Sequence, residues 1–191
     1  MQYFFLLMSI FKTSWIVLQL WKISEKQLFY KILFRDYGIL TVTKKKKTRE
    51  KPIDIGYIID CEIITYKDRN IHTIGNIKVL WFFQTENRKY HDIESFLKIL
   101  SLVSKQLPAW SPHYEIYDIL SSLLQQENKL DSQKLLLTHL KIISCLWNLS
   151  DSHLDPTTQK ILKFIHSSKY NDILRLWTIP EEAIKKLMGF F

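Results

Sequence analysis

Residues 15–43 decide how this chain is read: WIVLQLWK at Trp15–Lys22, QLFYKILFR at Gln27–Arg35, the turn Asp36-Tyr37-Gly38, and ILTVT at Ile39–Thr43. Each run is rich in β-branched and aromatic residues and too short for a typical helix, so three strands are predicted. Side chains alternate along a strand. In the second run Leu28, Tyr30, Ile32 and Phe34 therefore share one face, and Phe29, Lys31, Leu33 and Arg35 the other. One face is apolar and the opposite one carries two cations. Gly38 supplies the positive φ that the turn requires.

Downstream, the third strand runs into KKKKTREK at Lys44–Lys51, six cations and one anion. Tyr57–Tyr66 (YIIDCEIITY) then predicts a long strand, Lys67–Asn70 a turn, and Ile71–Phe83 a further strand. Gly75 inside that last run points to a bulge or sharp bend. Five strands with no helix between them predict a small antiparallel β-barrel of the oligonucleotide-binding (OB) type, an open antiparallel sheet being the alternative. Upstream, Tyr3–Phe11 (YFFLLMSIF) is strongly apolar. No basic segment precedes it and no small-x-small cleavage site follows, which argues against a secretory signal. Lys12 and Gln19 disfavour a membrane span over Tyr3–Trp21. A start at Met8, or a short extra strand, is the preferred reading.

The periodicity becomes helical from Asp92. Ile93, Phe96, Leu97, Leu100 and Val103 form an apolar stripe that ends before Pro108, and Ser111-Pro112 opens a second helix to about Gln126. Asp131 caps a third helix reaching Leu149, apolar nearly all round and so the expected centre of a bundle. Asp155-Pro156 and Thr178-Ile179-Pro180-Glu181 start two more. The fold expected is α+β: an OB-fold barrel over residues 1–90, then a bundle of five or six helices over 91–191.

Charge follows the same division. The chain has 191 residues and a net charge of +8. Residues 1–90 hold 16 Lys+Arg against 8 Asp+Glu, whereas 91–191 hold 11 of each. A biased codon usage would enrich lysine in both halves but would not leave it uncompensated in one. An anionic partner for the first half is therefore expected, nucleic acid before acidic lipid. The cations assigned to it are Lys22, Lys26, Lys31 and Arg35 on the early strands, with Lys44, Lys45, Lys46, Lys47, Arg49 and Lys51 in the run that follows. Cations that meet phosphates release counterions and give salt-sensitive, sequence-independent affinity. Trp21, Phe29, Tyr37 and Tyr57 are placed to stack on unpaired bases if they are not barrel core.

Signals for catalysis are sparse. The six histidines have no metal-ligand spacing, and the two cysteines, Cys61 and Cys145, form no C-x-x-C pair. Ser150-Asp151-Ser152-His153 contains triad residue types in one contiguous stretch, whereas a triad converges from separate elements. Asp60 and Glu62 share a strand face without a third acidic partner in view. The four glycines make no phosphate-binding loop. A non-enzymatic binding protein is expected, without metal, cofactor or small-molecule substrate, and unpaired cysteines suit a reducing cytoplasm.

The order of features resembles the bacterial recombination mediator RecO. The resemblance is carried by Ile16-Val17-Leu18, Ser24-Glu25-Lys26, Ile32-Leu33-Phe34, Gly38 and a strand ending in basic residues. Leu107-Pro108, then Pro112 through Leu120 (PHYEIYDIL), resemble that family's helical stretch, and Leu136–Leu149 its central helix. The chain departs from the family in lacking a cysteine-rich zinc lobe, in being short, and in having Ser24-Glu25 where Gly-Glu is usual. The resemblance implies a nucleoid-associated protein that binds single- and double-stranded DNA, anneals complementary strands and assists recombinase loading. It also implies two protein partners, the tail of single-strand-binding protein and RecR. The competing expectations are an RNA-binding OB module and a membrane-associated scaffold anchored by Tyr3–Phe11.

Overall fold

The computed structural model describes residues 8–24, 27–45, 53–66, 71–86, 88–125, 131–147, 155–175 and 179–188. Five strands come first: β1 (Met8–Ser24), β2 (Gln27–Phe34), β3 (Gly38–Lys45), β4 (Tyr57–Tyr66) and β5 (Ile71–Phe82). They close into a barrel in the order β1-β2-β3-β5-β4. Closure depends on the length of β1. Its first part, Met8 to Ile16, pairs with β4, while Trp15 to Ser24 pairs with β2. A register shift between Val17 and Gln19 bends the strand where it passes from one neighbour to the other. The apolar residues Met8–Phe11 are thus the opening of a barrel strand; residues 1–7 lie outside the described residues.

The barrel is not wholly antiparallel, contrary to the sequence expectation. Thr41, Val42 and Thr43 of β3 pair in parallel with Ile71, His72 and Thr73 of β5. The cause is arithmetic. Directions that alternate around a closed ring require an even number of strands, so a five-membered ring must contain a parallel pair.

The interior is filled by the residues that alternation turns inward, including Trp15, Val17, Tyr30, Ile32, Phe34, Leu40, Val42, Ile59, Cys61, Ile63 and Ile74. Trp15 stacks on Phe34 at 4.1 Å between centroids, and Phe34 on Tyr37 at 4.8 Å. Burying each such aromatic is worth roughly 1.5–3 kcal/mol, enough to offset the ordering of a residue or two. At the predicted bulge the register of β4 with β5 shifts between Asp60 and Glu62, opposite Lys78 and Gly75, and Asn76 takes a φ of 48°.

Among the described residues six helices follow: α1 (Tyr90–Gln106), α2 (Tyr114–Gln125), α3 (Ser132–Leu146), α4 (Pro156–Ser167), α5 (Tyr170–Ile173) and α6 (Glu181–Met188). Among the described residues no helix is long and apolar enough to cross a membrane. The second helix begins at Tyr114, later than Ser111-Pro112 suggested. Residues 107–113 are instead used as a strap along β3. Ala109 bridges Ile39, the Trp110 amide donates to the Ile39 carbonyl at 3.4 Å, and Trp110 adopts a φ of 60°.

The chain forms two compact units whose border is not a single point near residue 90. The described residues up to Gln84 group with Leu100 through the end of α2, and the stretch from Thr85 to Ile99 groups with α3 to α6. Within the barrel unit the physical reason is visible. The Lys31 Nζ donates to the Ser104 carbonyl, and the Tyr117 hydroxyl donates to the Ser14 carbonyl at 3.2 Å. Arg35 forms a two-pronged ion pair with Asp118 at 3.0 and 3.2 Å. Polar groups spaced along the end of α1 and the start of α2 are thereby tied to the barrel.

In the other unit α3 is buried at every position from Leu135 to Ser144, as its all-round apolarity predicted. It packs with Leu162, Ile165, Ile173, Ile179, Ala183 and Leu187. Lys141, although buried, donates to the His166 carbonyl in the last turn of α4 at 3.1 Å. Asp131 and Asp155 cap α3 and α4 as expected, and Asp155 also accepts from Lys186 Nζ at 2.7 Å. Burial, with Lys98 nearby, lowers the His139 pKa to about 4.

Two outcomes are expected. Gly38 has a φ of 73°, and a Cβ there would collide with the Ser111 backbone. Gly38→Ala should therefore destabilise the protein by about 2–5 kcal/mol in denaturant titration, with strain and overpacking both contributing. Because His139 is held neutral when folded but takes a proton near pH 6.5 when unfolded, stability should fall as pH drops from 6.5 towards 4. Thermal melts of His139→Gln across that range should show a flatter fall than the parent's, by on the order of 2–3 kcal/mol at the acid end.

Candidate nucleic-acid interface

Alternation along β2 and β3 sorts the expected cations by face. On β3, Leu40 and Val42 point into the barrel, and Lys44 follows them two residues on; it is only 8% exposed. Thr41, Thr43 and Lys45 face outward, and Lys45 is exposed. On β2 the outward residues are Gln27, Phe29, Lys31 and Leu33, and Arg35 follows in the turn after the strand. The structure engages most of that face. Leu33 is fully buried, Lys31 serves Ser104, and Arg35 binds Asp118 with its guanidinium 5.4 Å from the Tyr114 ring centre. The Asp118 carboxylate raises the Arg35 pKa further. Lys31 and Arg35 are thus fasteners between the barrel and its helical cover.

Lys26, Lys46, Lys47, Arg49 and Lys51 lie outside the described residues. The backbone of Lys22 pairs with Leu28 near the end of β1. Of the ten assigned cations, Arg35 and Lys45 are exposed among the described residues; Arg35 is held by Asp118, and Lys45 stands at the point where β3 leads into the rest of the basic run.

The four candidate stacking aromatics also separate. Tyr37 lies on Phe34, and Tyr57 packs at the barrel core with its ring 5.5 Å from Phe82. Trp21 and Phe29 are cross-strand neighbours on the outer face, their rings 5.9 Å apart and inclined by 22°. Trp21 is 38% exposed. The registers set Thr43 beside Phe29 and Thr73 beside Thr43. A row Trp21–Phe29–Thr43–Thr73 therefore crosses four strands, with Gln27 and Lys45 paired in the next outward row. The outward placement of Thr43, Thr73 and Gln27 is legible in the period-two alternation of β2, β3 and β5.

Of the two carboxylates considered for catalysis, Glu62 is engaged, whereas Asp60 Oδ1 is buried without a hydrogen bond among the described residues. Glu62 accepts from Asn76 Nδ2 at 2.6 Å, and Asp60 stands opposite Lys78 in the register. Among the described residues no group of three or more His, Cys, Asp and Glu could hold a metal ion. His72 is buried with neither ring nitrogen hydrogen-bonded among the described residues; its ring meets Trp110 edge-on at 5.2 Å, and burial lowers its pKa. Burial, reinforced by Asp60, pushes the Cys61 thiol up to about 12. Ser150-Asp151-Ser152-His153 lies outside the described residues.

Comparison with known proteins yields no matching family model and no matching curated protein.

Cys61 is buried and held as a thiol, whereas Cys145 is half-buried. Titration of the folded protein with an aromatic disulfide reagent at pH 8 should count Cys145 alone within minutes, and a second thiol only after denaturation.

Proposed function

We propose that the chain is a DNA-binding recombination mediator of the RecO type, whose barrel is an OB-fold that holds single-stranded DNA on the outer face of β2 and β3. The observation that carries this reading is the position of Lys45. It is an exposed cation on that face, at the end of a strand that runs in sequence into Lys46, Lys47, Arg49 and Lys51. OB-folds use the outer surface of strands 2 and 3 and the neighbouring loops for oligonucleotides. The strand order β1-β2-β3-β5-β4 and the parallel β3–β5 closure support that assignment. The uncompensated charge of residues 1–90 supports a polyanion as partner.

Annealing of complementary strands, help in loading recombinase, and contact with RecR and the tail of single-strand-binding protein come from the RecO resemblance. In this reading the lysine run neutralises phosphates of two strands at once, lowering the repulsion that opposes their pairing. Lys31 and Arg35 contribute indirectly, by fixing the barrel to α1 and α2.

The test is a binding and annealing assay over about 50–200 mM salt. Lys45→Gln, Lys46→Gln and Lys47→Gln combined should lower the slope of log affinity against log salt by about 2 for a single strand, and slow annealing in parallel. Lys31→Gln should leave that slope unchanged. If the triple variant binds and anneals like the parent, the proposal fails; a uridine oligonucleotide bound more tightly than its DNA counterpart would move the reading to RNA.

A further inference from the structure

We infer that the Trp21–Phe29 pair is a stacking site for unpaired bases, so that the barrel takes single strands by their bases and duplex by its phosphates alone. This rests on the reading of the barrel as a nucleic-acid-binding domain. Three observations converge. The pair lies on the outer surface, in a barrel whose interior is already filled by Trp15, Tyr30, Ile32 and Phe34. Cross-strand packing accounts for two aromatics being neighbours, but not for leaving a Trp 38% exposed among threonines. The pair also adjoins Lys45, with Gln27 and Lys45 forming the next row of the same face.

The chemistry of the surface selects its occupant. Rings inclined by 22° present an apolar, π-rich surface suited to a flat aromatic group. The Thr43 and Thr73 side chains beside them are short; the Thr43 hydroxyl donates to the His72 carbonyl at 3.3 Å and retains acceptor capacity for a sugar or base edge, as does the hydroxyl of Thr73. One cation at the border suits a phosphate one nucleotide away. A single strand offers flat bases and phosphates at that alternation, whereas a duplex hides its base faces.

Equilibrium binding of the full chain should be measured with a thymidine oligomer, an abasic strand of equal length and charge, and a duplex. The parent should prefer the thymidine oligomer to the abasic strand by about tenfold or more. Trp21→Leu and Phe29→Leu should each weaken thymidine binding by about tenfold while changing duplex and abasic binding less than twofold. Trp21→Tyr should restore most of the loss. If the parent binds thymidine and abasic strands equally, the inference is overturned whatever the variants do, and the nucleic-acid reading stands. If it binds none of the three, that reading falls too.

Discussion

One long strand, divided along its length between two neighbours, holds the barrel together. β1 gives the backbone of Met8–Ile16 to β4 and that of Trp15–Ser24 to β2, with Trp15 and Ile16 serving both. Because a strand this long must bend to face two neighbours, the register shift after Val17 is a requirement of closure. The rest follows from it. With β1 joining β2 to β4, the sheet has two remaining edges, β3 and β5, and five strands oblige that last pair to run parallel. Among the described residues, three pairs make this closure. The strap at Ala109 and Trp110 continues it along β3, adding the Ile39 bridge and the contact of Trp110 with His72.

The helical cover explains how outward cations of the barrel come to be engaged by the protein itself. Lys31 and Arg35 face outward, yet a carbonyl of α1 and a carboxylate of α2 receive them. Burial of Leu33 between them is the energetic reason for the arrangement, since an apolar side chain on an outer face needs something to cover it. Where the cover stops, the outer face changes character. Trp21, Phe29, Thr43, Thr73 and Lys45 are left on the sheet beyond it. The same barrel surface is therefore divided into a part engaged by α1 and α2 and a part that carries Trp21, Phe29 and Lys45.

The fold was largely legible because it depends on local pattern. Period-two alternation in QLFYKILFR, the Gly38 turn and the Gly75 bulge were read from spacing alone, and the caps at Asp131 and Asp155 from residue type. One missed boundary has a visible cause. Pro112 is a sound helix starter, but the strap's hydrogen bond to Ile39 and the left-handed turn at Trp110 keep the chain out of the helix until Tyr114. The site was half legible. Composition marked a basic segment and aromatic residues near it, yet Lys31 and Lys45 both face outward on neighbouring strands and differ in what lies above them.

The sequence by itself determined the order of the strands and of the longer helices, which face of β2 fills the barrel, and where the excess positive charge lies. These are properties of neighbours along the chain, fixed by alternation, turn chemistry and capping. Only the tertiary structure decided which strands meet, that one pair is parallel, that residues 100–125 belong with the barrel, and which cations and aromatics remain exposed. Those outcomes depend on contacts such as Arg35 with Asp118, 83 positions apart, and no pattern along the chain records them.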